Sequence, residues 1–154
     1  HAFIDEVLAH AQRHFDAAFA GVVRQPLHAD LHGWNLRWHE GRLAVFDFDD
    51  SGIGAPVQDL AVCAYHVRDN FAQEAALLEG YQELRPLPPF TADQFEAMVA
   101  TRNLVLLNDL VTTSNAEFIE MLPRYLPNAL TKLRAYMTTG VFRHDVPGLI
   151  PPPA

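Results

Sequence analysis

With 154 residues the chain is long enough to bury one core and short for two, so one domain, or a piece of one, is expected. Hydrophobic residues at 49% and charged residues at 19% exclude a disordered tail or a fibrous repeat, and 19 acidic residues against 11 Lys plus Arg, a formal charge of -8, argue against nucleic acid as a partner. No apolar run approaches the roughly 18 residues of a bilayer span and no basic-then-apolar leader opens the sequence, while the single cysteine, Cys63, excludes an internal disulfide and suits a reducing compartment, so no membrane partner and a cytoplasmic location are expected.

From Ala2 to Ala20, Phe3, Val7, Leu8, Ala11, Phe15 and Phe19 fall near helical spacing, and Gly21 supplies the stop. Between Val22 and Phe48 helical periodicity gives way to short apolar runs separated by polar residues, the texture of strands and loops. Pro56 suits the first turn of a second helix carrying Leu60, Ala61, Ala64 and Tyr65. A third is expected over Phe71 to Leu84, ended by Arg85-Pro86-Leu87-Pro88-Pro89. Thr91 and Gln94 then have capping-box spacing ahead of a long helix to about Thr113, with Leu104, Val105, Leu107, Leu110 and Val111 as its core stripe. Two further helices are expected near Ala116 to Met121 and Pro127 to Thr139, closed by Gly140, before a frayed, disordered tail at residues 151–154. The fold class is therefore mainly α with a small β-hairpin insert, and residues 1–150 read as one unit.

The chemistry concentrates between Leu27 and Asp50. Leu36-Arg37-Trp38 and Leu43-Ala44-Val45-Phe46 flank a polar turn containing Glu40-Gly41, the pattern of a hairpin. With Leu36 opposite Phe46 and Trp38 opposite Ala44, the next pair outward is Asn35 with Asp47, and an amide oxygen and a carboxylate so placed would share one cation. Such hard oxygen donors, few in number, suit Mg²⁺ and leave coordination free for substrate phosphates. Asp30, in the loop before this ribbon, is placed to orient a substrate hydroxyl and accept its proton. Trp34 and Trp38 are expected to cover a core edge, and His66 and Cys63 to be packing residues on an apolar helix face; Asn108 and Asp109 fit equally a satisfied core or an acceptor pocket.

The order His28-Ala29-Asp30, His32, Asn35, Val45-Phe46-Asp47-Phe48-Asp49-Asp50 and Gly52-Ile53-Gly54-Ala55-Pro56-Val57-Gln58-Asp59-Leu60-Ala61 resembles the catalytic loop and metal-binding segment of the aminoglycoside phosphotransferase family, within the protein-kinase-like superfamily. The resemblance implies a kinase-like C-terminal lobe in which Asp30 is the catalytic base, Asn35 and Asp47 bind Mg²⁺, and His28 holds the loop. It further implies that Asp50 is an acidic residue near metal or acceptor and that Asp59, at a helix start, braces the loop. His32 is a loop histidine or a contact to loop or phosphate. Ala29 stands where glycine is usual, a methyl tolerated at negative φ and strained in the left-handed region.

Kinases of this superfamily grip ATP with a glycine-rich strand pair and a lysine on a smaller lobe. No Gly-x-Gly-x-x-Gly occurs here and the one lysine is Lys132, far downstream, so the ATP-gripping N-terminal lobe is expected to lie outside this chain and the chain alone to be inactive. The implied activity is ATP- and Mg²⁺-dependent phosphorylation of a hydroxyl on a small molecule of aminoglycoside, homoserine or amino-alcohol type, a cationic acceptor fitting the charge balance. Two rivals stand beside it. A metal-dependent phosphoester hydrolase would use the rhythm His28-x-Asp30-x-His32, with His66 and His144 lacking an evident partner pattern. A non-catalytic kinase-like binding module would have had no need to retain Asp30, Asn35 and Asp47 together.

Overall fold

A computed structural model describes residues 2–152; the expected fraying of Pro153 and Ala154 falls outside the described residues. The chain folds as α1 (Ala2–Phe19), β1 (Gln25–Leu27), a 3₁₀ turn (Gly33–Asn35), β2 (Leu36–His39), β3 (Arg42–Val45), β4 (Gly52–Gly54), α2 (Pro56–Val67), α3 (Phe71–Leu84), α4 (Ala92–Thr112) and α5 (Ala116–Thr139). It is mainly helical, with two small antiparallel ladders, β1 with β4 and β2 with β3.

α4 is the central element and packs against α1, α2 and α5. Its start is fixed by a reciprocal capping box: Gln94 N–H donates to Thr91 Oγ1 (3.2 Å) and Thr91 N–H to Gln94 Oε1 (2.8 Å). Ala97, Met98, Val99 and Ala100 are buried in succession, so the helix is enclosed all round at its middle. Further along, Leu107 and Leu110 are buried, whereas Val105 and Val111 are exposed, so the expected stripe is core only on the side facing its neighbours. Val7 of α1, Leu60 and Ala64 of α2, and Leu133 and Tyr136 of α5 complete the cluster, with Phe142 fully buried just past the last helix.

The two helices expected at the C-terminal end are one. Pro123 and Pro127 lie inside α5, where each removes a backbone donor and would cost about 3 kcal/mol in an isolated helix. Packing outweighs that cost, because Ala129, Leu133 and Tyr136 beyond the prolines are buried. Gly140, at φ 74°, ends α5 in the left-handed conformation, its N–H donating to Tyr136 O (2.8 Å). The chain beyond is fastened back: Asn128 donates to Ile150 O (2.9 Å) and accepts from Ile150 N–H (2.7 Å).

The β2–β3 register differs from the expected one by a single residue. Leu36 faces Val45, Arg37 faces Ala44, Trp38 faces Leu43 and His39 faces Arg42, so Asn35 lies opposite Phe46 and not Asp47. The cause is the turn: Glu40 (φ 49°) and Gly41 (φ 74°) are both left-handed, which makes a two-residue loop of the kind that matches strand twist. Apart from half-buried Leu36, the ribbon is exposed. Trp34 is 88% exposed and Trp38 75%, which overturns their expected role at a core edge.

Candidate active site

The loop after β1 is held from two helices at once. Asp59, in the first turn of α2, accepts from the backbone N–H groups of His28 (Oδ2, 3.0 Å) and Ala29 (Oδ1, 2.8 Å). α2 is itself positioned by Gln58, whose Oε1 accepts from Ala55 N–H (2.8 Å). Gly54 leaves room for that contact, since a Cβ there would lie 2.6 Å from Leu27 Cδ1 and displace the Gln58 amide from Ala55 N–H. Pinning of consecutive N–H groups turns the chain sharply, and Ala29 sits at φ 64°. The methyl at that position is therefore in the left-handed region, where a side chain costs about 1–2 kcal/mol.

His28 is buried and spends both ring nitrogens on structure. Its Nδ1 accepts from Asp30 N–H (3.3 Å), so the ring proton lies on Nε2, which donates to Phe46 O (2.9 Å) and ties the open end of the β2–β3 ribbon to the loop. Asp30 is the meeting point of the site. Asn35, 5% exposed, donates through Nδ2 to Asp30 O (2.9 Å) and Oδ2 (3.1 Å). His32 accepts Trp34 N–H on Nδ1 (3.2 Å), which leaves Nε2 as the donor facing Asp30 Oδ2 at 3.3 Å. Arg102 of α4, 7% exposed, donates from Nη2 to Asp30 Oδ1.

Arg102 and His66 were absent from the sequence-derived site. Arg102 reaches Asp30 across 72 residues, and the one trace it leaves in the sequence is that it is the single cation in α4. His66 was expected to be packing. Its residue lies at the surface, but its ring leans on His32 (centroids 4.6 Å) and Tyr65 (5.2 Å), and Asp30, His32 and His66 each offer a ligand atom within 4.8 Å of the others. Desolvation first, then the nearby His32 and Arg102, push the His66 pKa down to about 4, against the opposing pull of Asp30. Cys63 behaves as expected of a packing residue: its Sγ donates to Leu31 O (3.2 Å) and burial raises the thiol pKa to about 12. His144 is committed elsewhere, donating to Tyr65 O (2.6 Å).

Asp47 and Asp50 are exposed, and among the described residues neither carboxylate makes a hydrogen bond or ion pair. Asp47 follows directly on Phe46, whose N–H donates to Asn35 O (3.2 Å), and its φ of 65° bends the chain out of the ribbon at that point. For a divalent cation the donor set fits. Asn35 uses its amide nitrogen on Asp30, so no protein donor among the described residues occupies its Oδ1, and the Asp47 carboxylate is free; both are hard oxygens of the kind Mg²⁺ takes. Beside the loop opens a cavity of about 340 Å³ lined by Ala29, Asp50, Gln58, Thr101, Arg102 and Asp109 among others. Asp109, left open between core and pocket, is thus at the pocket, and Asn108 is exposed.

A helical platform that carries a braced loop, a short ribbon and an aspartate at the start of the next helix is a kinase-like fold. A profile of the phosphotransferase enzyme family (APH) matches residues 2–97, and the chain belongs to that family. Amicoumacin kinase of Bacillus subtilis (strain 168) is 44% identical over 41 residues, which cover 27% of this chain and 12% of that protein. Among solved structures, amicoumacin kinase hAmiN in complex with AMP-PNP, Ca²⁺ and Ami superimposes with a TM-score of 0.55 at 22% identity, over 80% of this chain and 45% of that one. The matched portion is thus less than half the length of either relative.

Proposed function

We propose that this chain, over residues 1–150, is the C-terminal lobe of an ATP- and Mg²⁺-dependent phosphotransferase that acts on a hydroxyl of a small molecule, in the cytoplasm, with the nucleotide-gripping lobe supplied by a further segment of the same protein. The observation that carries this reading is the pair of hydrogen bonds that Asn35 Nδ2 donates to the backbone carbonyl and the carboxylate of Asp30. It sets the amide of a candidate metal ligand against the candidate base, so positioning of metal and acceptor is a single problem solved by one side chain.

In this reading the acceptor occupies the cavity beside Ala29 and Arg102, and its hydroxyl faces Asp30. The carboxylate orients that hydroxyl and takes its proton as the oxygen attacks the terminal phosphoryl group. Arg102 and His32 hold the carboxylate from opposite oxygens and fix its plane. Asn35 Oδ1 and Asp47 would hold Mg²⁺, which neutralises charge on the phosphate oxygens when bound. His28 and Asp59 keep the loop in place. Asp50 and Asp109 give the pocket a negative rim, which suits an acceptor carrying an amine.

The test is Asp30→Asn in the protein carrying both lobes, assayed for ADP release with Mg²⁺, ATP and a panel of hydroxyl-bearing amines and aminoglycosides. The expected result is a fall in kcat of about 10²- to 10⁴-fold with the KM for ATP little changed. Equal turnover by parent and variant defeats the assignment of Asp30. Phosphotransfer by the present chain alone would defeat the two-lobe arrangement.

A further inference from the structure

Asp30, His32 and His66 come from a loop and a helix and converge on one point. Two imidazoles and one carboxylate are poor company for Mg²⁺ and good company for zinc-like ions, whose catalytic and structural sites draw on these ligands. A tetrahedral ion at 2.0–2.1 Å from each ligand holds the ligand atoms about 3.3 Å apart. His32 Nε2 and Asp30 Oδ2 already stand 3.3 Å apart. The His66 ligand atom lies within 4.8 Å of both, so closing the triangle draws it inward by at most about 1.5 Å. Asp30 can serve while still paired: Arg102 occupies Oδ1 and Asn35 donates to one lone pair of Oδ2, which leaves the lone pair now facing His32 Nε2 to the ion.

We propose that Asp30, His32 and His66 form a binding site for a borderline divalent transition-metal ion of the Zn²⁺ type, distinct from the Asn35–Asp47 oxygen pair. Resting on the function proposed above, its consequence is inhibition: an ion on Oδ2 takes the lone pair that would receive the acceptor's proton. Coordination through Nε2 moves the His32 ring proton to Nδ1, so the bond from Trp34 N–H is released. Occupancy is therefore reported at a second place, the 3₁₀ turn at Gly33–Asn35. No net proton leaves the ring in this step.

The experiment titrates the chain with ZnCl₂ against a chromophoric chelator in excess Mg²⁺ without nucleotide, and with CoCl₂ read by visible absorption. One ion per chain is expected, with a cobalt spectrum of tetrahedral intensity and a shifted Trp34 amide resonance. His66→Ala, at a surface position where circular dichroism verifies the fold, is expected to weaken binding at least tenfold and abolish the cobalt bands. The His10–His14 ring pair on α1 (centroids 4.5 Å) is the competing surface chelate, and His14→Ala is expected to leave affinity unchanged. The proposal is overturned by no binding at millimolar zinc, by His66→Ala binding as tightly as the parent, or by loss of the ion in His14→Ala instead. Because these readings need neither ATP nor turnover, they fail or succeed independently of Asp30→Asn kinetics.

Discussion

The two sides of the candidate site are held in opposite ways. Asp30 stands on a loop secured by side chains of α2 and α4, both rooted in the core, through Asp59 and Arg102. Asp47 stands at the end of a ribbon whose residues, apart from half-buried Leu36, are all exposed, and whose tie to the rest of the chain runs through His28 and Phe46 O. The side of the proposed base is thus coupled to folding, while the side of the proposed metal ligand is coupled mainly to the loop. Under the function proposed above that division is useful: an acceptor side has to be rigid for near-attack geometry, whereas a side that meets nucleotide has to accommodate a ligand that comes and goes.

The contrast is broken most severely at Asp59. Asp59→Ala leaves the N–H groups of His28 and Ala29 without their charged acceptor, at about 1.5–3 kcal/mol per bond to a charged group. A loss of about 3 kcal/mol in urea unfolding is expected, with Asp59→Asn recovering part of it through the remaining amide oxygen. A loss under 1 kcal/mol would show that the loop is held by something other than α2. A smaller effect of the opposite sign is expected at Ala29. Its φ of 64° penalises the methyl by about 1–2 kcal/mol, while glycine's greater freedom when unfolded returns part of that. Ala29→Gly should therefore stabilise the chain by about 0.5–1 kcal/mol in the same assay, and a destabilised variant would mean that the methyl is packed to advantage.

What was legible in the sequence follows the same division. The order from His28 to Asp59 is local and dense in chemistry, so it announced the loop, the ribbon and the helix after it, and the caps at Thr91–Gln94 and Gly140 announced the ends of long helices. The ribbon's register was hidden because it turns on one backbone angle: Gly41 permits several loops, and only Glu40 in the left-handed region selects the two-residue form. Arg102 and His66 were hidden for another reason. Both reach the site by tertiary packing of helices, and the spacing along α4 or α2 carries no record of what lies opposite. The prolines of α5 misled because propensity is local, whereas the burial of Leu133 and Tyr136 that holds the helix together is not.

The smallest expected effect is the one that sharpens the comparison furthest. Trp38 pairs across the ribbon with Leu43, yet it is 75% exposed and Leu43 49%. A large aromatic side chain in a core would cost about 3–5 kcal/mol on truncation, whereas an exposed cross-strand pair contributes about 0.2–1 kcal/mol. Trp38→Ser should accordingly shift unfolding of this chain by about 0.5 kcal/mol, no more than an ordinary surface change. A loss above 2 kcal/mol would mean that the ribbon is covered in solution, by a second copy or by the chain's own segments, and that the metal side is as firmly rooted as the base side. The same variant in the two-lobed protein separates those outcomes, because a ribbon that is free here but buried there would show the small effect in one and the large effect in the other.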